Sequence, residues 1–204
     1  MLESCTAQNG STVIRQQGRL LASLVDPQAE ARDWIDRQTA LLKDVRTIFV
    51  LGLGCGYHVN ELAARFSAGV VVLEFYSEIC TMTQSIHSFD AARVKIECLQ
   101  NSRQLRQNEV VRRAIAQSFL IVRHGPSMLA QPQFYSECQK QLLGRDWGSL
   151  SWQWQLRGLP SLDPQIQIGN DQALTIHDLE QTELVQDSEE RERMLIKALR
   201  ELVK

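Results

Sequence analysis

Residues 48–58 read Ile48-Phe-Val-Leu-Gly-Leu-Gly-Cys-Gly-Tyr-His58, and this stretch decides the fold class. An apolar run, Ile48 to Leu51, leads into glycines at every second position, Gly52, Gly54 and Gly56, and a helical pattern opens at Tyr57. That order describes a buried strand ending in a tight turn and passing into a helix, with a turn backbone that no side chain of its own shields. Twenty residues after Gly54, a second apolar run, Val70-Val-Val-Leu73, ends in Glu74. An acidic residue at the tip of the second strand is where dinucleotide and S-adenosyl cofactors have their ribose hydroxyls held. In this order and spacing, the two halves predict a nucleoside-binding crevice.

Outward from this stretch, residues 47–123 alternate strand and helix. Strands are predicted at 47–52, 70–74, 94–99 and 118–123, with helices near 57–66, 76–87 and 102–117 between them. Continuous apolar strands such as Phe49-Val-Leu51 and Phe119-Leu-Ile-Val122 suit a parallel sheet covered on both faces. The fold class is therefore α/β: a Rossmann-like, methyltransferase-like doubly wound sheet, mostly parallel, with an N-terminal β-hairpin and a C-terminal hairpin plus helix. Upstream, residues 12–25 read as the hairpin, turning at Gln16-Gln17-Gly18. Asp26-Pro27 then starts a helix whose face carries Trp34, Ile35, Leu41, Leu42 and Val45. Downstream, a helix is predicted over 133–143 and a second hairpin at 166–176, while Gly148 to Pro164 carries Trp152 and Trp154 among Gln, Ser and Gly. An amphipathic helix over 187–204 carries its apolar stripe at 194–202. Three segments follow: 1–46, hairpin and helix; 47–145, Rossmann-like core; 146–204, C-terminal extension.

Composition narrows the function classes. The 204 residues are 44% hydrophobic and 23% charged, as in an ordinary globule. The 22 basic and 24 acidic residues leave a net charge of -2, which recommends neither nucleic acid nor a membrane as partner. Five cysteines, odd in number and never paired as Cys-x-x-Cys, argue against a metal site and a disulfide framework. With no apolar leader segment visible, the expected location is cytoplasmic.

The glycine stretch resembles motif I of class I S-adenosylmethionine-dependent methyltransferases. Gly54 and Gly56 match that motif, whereas His58 replaces its third glycine and Gly52 stands where it usually has an acidic residue. Over roughly 12–145 the chain also resembles the motility-associated factor family, which is linked to flagellin glycosylation. Gly18-Arg-Leu-Leu-Ala-Ser23 and Pro27-Gln-Ala-Glu-Ala31 look like that family's short strand and helix start. Val50 to His58, followed by Glu61-Leu62, looks like its Gly-x-Gly-x-Gly-Tyr-His strand, turn and helix. The match is to that family's N-terminal Rossmann-like part, which implies an accessory or sensing domain.

The candidate residues each fit two readings. Gly52, Gly54 and Gly56 either admit a ligand or simply pack a helix against the sheet. Glu74 either holds a ribose or serves its own chain, ending its strand in water or capping the helix that starts near Tyr76. His58, at a positive helix end, is either a neutral donor to a ligand or a cap of its own loop. Cys55 is either a reactive thiol or a small buried spacer. Asn101, at the third strand's tip, either meets adenine or caps the next helix. His124, after the fourth strand in Arg123-His-Gly-Pro-Ser127, is the best general-base candidate, or else part of a polar loop. The expected cofactor is S-adenosylmethionine or another nucleoside or nucleotide ligand, with no metal; a protein partner is expected at the C-terminal helix. The leading expectation is an accessory binding domain; the rivals are an active small methyltransferase and a ligand-free structural module.

Overall fold

The computed structural model describes residues 2–40, 42 and 45–158. The C-terminal hairpin and helix expected at 166–176 and 187–204, and with them the proposed docking stripe, lie outside the described residues. The chain divides into two compact units, Met1–Gln139 and Lys140–Lys204.

The first unit opens with a small antiparallel sheet. Strands β1 (Leu2–Thr6), β2 (Thr12–Gln16) and β3 (Arg19–Leu20) pair in the order β1-β2-β3. Gln17 and Gly18 both take positive φ, the backbone of a two-residue hairpin turn matched to strand twist. The hairpin is as expected; β1 had no signal beyond a short, mostly polar Leu-Glu-Ser-Cys-Thr. Helix α1 (Pro27–Asp36) is capped by Asp26, whose Oδ1 accepts from the backbone N–H groups of Gln28 and Ala29. It carries Trp34 and Ile35 of the predicted face but ends before Leu41, Leu42 and Val45. The Arg37, Gln38 and Thr39 side chains donate to the carbonyls of Asp33, Trp34 and Ile35, taking up acceptors that a longer helix would use.

The core of the unit is a parallel sheet in the order β6-β5-β4-β7. Its strands are β4 (Thr47–Leu51), β5 (Gly69–Glu74), β6 (Val94–Cys98) and β7 (Phe119–Arg123). Helices α2 (Tyr57–Arg65), α3 (Ser77–Ile86) and α4 (Glu109–Ile115) connect them. All five residues of β4 are buried, as its continuous apolar run requires. The register sets Leu51 beside Leu73 and Arg123, and Glu74 beside Cys98, so the tips of the strands lie level. Val13, Ile14, Leu21 and Ile35 of the N-terminal elements share one hydrophobic core with Ile48, Val50, Val59 and Leu62. The helix expected over 102–117 is in fact two pieces, a 3₁₀ turn at Ser102–Arg106 and then α4. Asn108 restarts the helix by accepting the Val111 N–H through its side chain.

After β7 come α5 (Gly125–Ala130) and α6 (Pro132–Leu142). In the second unit, α7 (Trp147–Leu156) covers the first part of the Trp-rich stretch, and residues 159–164 lie outside the described ones. Asp146 caps it by accepting from both the N–H and the hydroxyl of Ser149. Among the described residues no helix is long and apolar enough to cross a membrane.

Candidate functional site

Strand order decides where an open α/β sheet keeps its crevice. From β4 the chain moves to β5 on one side, and later returns to place β7 on the other. The topological switch point therefore lies between the carboxyl ends of β4 and β7. The turn after β4 and the loop after β7 meet there, and the His124 N–H donates to the Leu51 carbonyl at 3.0 Å.

The glycine turn is tight, and the chain's own side chains fill the space above it. Gly54 has φ +51°, and a Cβ built on it would lie 2.4 Å from Cε1 of His124. At Gly52 a Cβ would lie 2.3 Å from that of Ser127, and at Gly56 it would meet Thr83 and His87. The turn's carbonyls are also taken. Gly52 O lies 3.2 Å from Nε2 of His58, Gly54 O accepts from the Thr83 hydroxyl at 2.7 Å, and Cys55 O lies 2.8 Å from Nε2 of His87. These glycines make room for imidazoles, hydroxyls and a methyl group from elsewhere in the fold.

Glu74 sits at the predicted strand tip, but it is fully buried. One carboxylate oxygen accepts from Leu53 N–H at 2.8 Å. The other accepts from the N–H groups of Phe75 and Tyr76 and from the buried Tyr135 hydroxyl, at 2.8, 3.0 and 3.0 Å. Burial pushes its pKa up, while the four donors act the other way. Glu74 thus ties the β4 turn to the start of α3 and to α6. The chain's own side chains thus occupy the space over the glycines, and the Glu74 carboxylate is engaged within the chain.

The other candidates separate. Asn101 caps the 3₁₀ turn, accepting from Arg103 and Gln104 N–H. Cys55 is buried, accepts the Ile14 N–H at 3.1 Å, and its thiol is pushed up to about 12 by burial, so it is no thiolate. His58 and His124 come together as a stacked pair, ring centroids 4.2 Å apart and planes within 3°. Trp34 packs its ring edge-on to His58 at 5.3 Å. Burial, rather than the helix dipole, brings the His58 pKa down to about 4; burial and the neighbouring imidazole push His124 well below the usual histidine value. Nδ1 of His124 is 2.7 Å from the hydroxyl of buried Ser127.

This pair lines a cavity of about 90 Å³ at the switch point. Leu21, Ala22, Pro27 and Ala31 form an apolar wall, Trp34 an aromatic one, and exposed Arg37 and Glu30 also border it. The place of Trp34 and Arg37 at the cavity is not legible in the sequence, because Trp34 belongs to α1 and Arg37 follows its end, outside the alternating core. Only the packing of α1 on α2 brings them here. Each imidazole has one nitrogen committed within the chain and one that no described residue engages. Among the described residues no group of three or more His, Cys, Asp or Glu is arranged to hold a metal ion. No family model matches the chain, and no curated protein matches it at a significant level.

Proposed function

We propose that the chain is an accessory binding module that takes a nucleoside-type ligand at the switch-point cavity, in place of the glycine turn and Glu74. The observation that carries this reading is the neutral His58–His124 pair, stacked at 4.2 Å and lining a cavity where open α/β sheets take their ligands. A water's share of liquid volume is about 30 Å³, so about 90 Å³ admits a group of a few heavy atoms. The histidines favour binding over acid–base chemistry. A general base works best with a pKa near the operating pH, and burial holds both imidazoles far below it. The resemblance of residues 12–145 to the N-terminal part of motility-associated factors supports an accessory role, in flagellin or surface glycosylation.

A thermal-shift screen with S-adenosylmethionine, S-adenosylhomocysteine, ATP and a nucleotide sugar tests the reading. At 100 times its dissociation constant a true ligand adds about 2.7 kcal/mol of stability. Ala22→Phe, which fills the cavity from its partly exposed wall, is expected to abolish the shift. A shift that survives Ala22→Phe puts the ligand elsewhere, the absence of any shift overturns binding, and methyl transfer from labelled S-adenosylmethionine overturns the accessory role.

A further inference from the structure

The hydrogen bond between His58 and the turn determines what the cavity asks of its occupant. Nε2 of His58 lies 3.2 Å from the Gly52 carbonyl oxygen, which can only accept, so Nε2 carries the hydrogen. In a neutral imidazole the other nitrogen, Nδ1, then presents a lone pair. No described residue donates to it. Burial keeps the ring neutral at physiological pH, with His87 opposing its charge in the same sense, and the stacked His58 ring opposes charge on His124.

Charge at the site excludes most small ligands. A carboxylate or phosphate could pair with Arg37 at the exposed rim, but inside the cavity it would bring only acceptors to the His58 lone pair, which burial keeps from taking up a proton near neutral pH. An ammonium group would have to shed its water against Leu21, Ala22 and Pro27, with the Arg37 cation nearby. Glu30, the one carboxylate among the described residues bordering the cavity, already accepts the Ser23 N–H at 2.7 Å through one oxygen. A neutral hydroxyl meets every condition. It donates to a lone pair, carries no charge to desolvate, and fits a volume of about 90 Å³ when it belongs to the edge of a small ring.

We propose that the cavity selects the neutral diol edge of a ribose or related sugar ring, with Nδ1 of His58 accepting a hydrogen bond from one hydroxyl. This rests on the switch-point binding site proposed above and adds the group that is recognised and the atom that recognises it. The ribose contact is thereby placed on the imidazole pair, because Glu74 has spent its oxygens on Leu53, Phe75, Tyr76 and Tyr135.

The test is calorimetric titration of the full chain at pH 7.5 with adenosine, 2′,3′-dideoxyadenosine and methyl β-D-ribofuranoside. Adenosine is expected to bind roughly 10- to 100-fold more tightly than the dideoxy analogue, since the analogue leaves a buried acceptor unpaired. Displacement of adenosine by the riboside supports a free sugar as the source of the diol, and its failure to displace supports a nucleoside. His58→Phe is expected to make adenosine and dideoxyadenosine equal, while His58→Asn, with an amide oxygen near the Nδ1 position, retains part of the preference. Equal binding of the two nucleosides to the unaltered protein overturns hydroxyl selection and leaves the cavity as a binding site. Binding of none of the three, together with no response to S-adenosylmethionine, overturns the site as well. The ligand series on the unaltered protein decides the matter even if His58→Phe does not fold.

Discussion

Gly54 shows how a residue legible in the sequence can carry a reason the sequence hides. Its φ of +51° and its place between strand and helix follow from the Gly-x-Gly-x-Gly spacing. What stands above it does not, because His124 and Ser127 reach the turn only once β7 has paired with β4. Gly54→Ala is therefore expected to cost about 2–4 kcal/mol in urea unfolding, from backbone strain and a collision with the imidazole. Adding His124→Ala should return part of that loss, and a double variant no more stable than the single one would place the collision elsewhere. Glu74 carries the same lesson: its position at a strand tip was readable, its four donors were not. Glu74→Ala is expected to lower stability by about 3 kcal/mol, because it strands the buried Leu53 N–H and Tyr135 hydroxyl. Tyr135→Phe, which removes one donor, should cost about 1 kcal/mol. A Glu74→Ala protein of unchanged stability would show that the carboxylate does not tie these elements together.

At the scale of elements, order and type were readable where apolar residues run unbroken, in the largely buried β4 and β5 and also in the partly buried edge strand β7. β4, β5 and β7 come from uninterrupted apolar runs, and no helical reading of so short a run between turns competes with them. Helix ends were less readable, since they depend on which polar side chain wins a backbone group. Asn101 and Asn108 each cap a turn, so a polar stretch that looks like one helix becomes two. Asn108 also donates to Glu97 at 2.6 Å, linking α4 to β6. Asn108→Ala should cost about 1–2 kcal/mol, and Asn108→Ser should recover the capping share, because a serine hydroxyl also accepts the Val111 N–H. Equal losses in both variants would assign the effect to the Glu97 bond instead. α7 was missed for the opposite reason: its Trp-Gln-Ser sequence has no apolar stripe, and only the Asp146–Ser149 cap announced it.

At the scale of the whole molecule, three histidines close on the turn after β4, and together they set its response to acid. His58 holds the Gly52 carbonyl, His87 holds the Cys55 carbonyl while pairing with Asn60 at 2.8 Å, and His124 covers Gly54. Burial lowers the pKa of all three: His58 to about 4, His87 below its usual value, and His124 well below it. In the unfolded chain each imidazole takes a proton near pH 6.5. Between that pH and the folded value the unfolded chain binds more protons, so stability falls as pH drops below about 6.5. For His58 the loss levels off near pH 4, where the folded ring takes its own proton, and amounts to about 3 kcal/mol. Glu74 acts in the opposite direction. Its raised pKa means the folded carboxyl takes a proton before the unfolded one, which favours the fold as pH falls towards about 4.5. The unaltered protein reports the difference of these effects, so His58→Asn is needed to separate them. Urea unfolding from pH 7.5 down to pH 4.5 should show the variant less stable at the upper end and the two curves converging towards the lower, as the His58 penalty grows in the unaltered protein alone. Curves that stay parallel across that range would mean that His58 is not held neutral by burial, and the lone pair assigned to its Nδ1 would go with it.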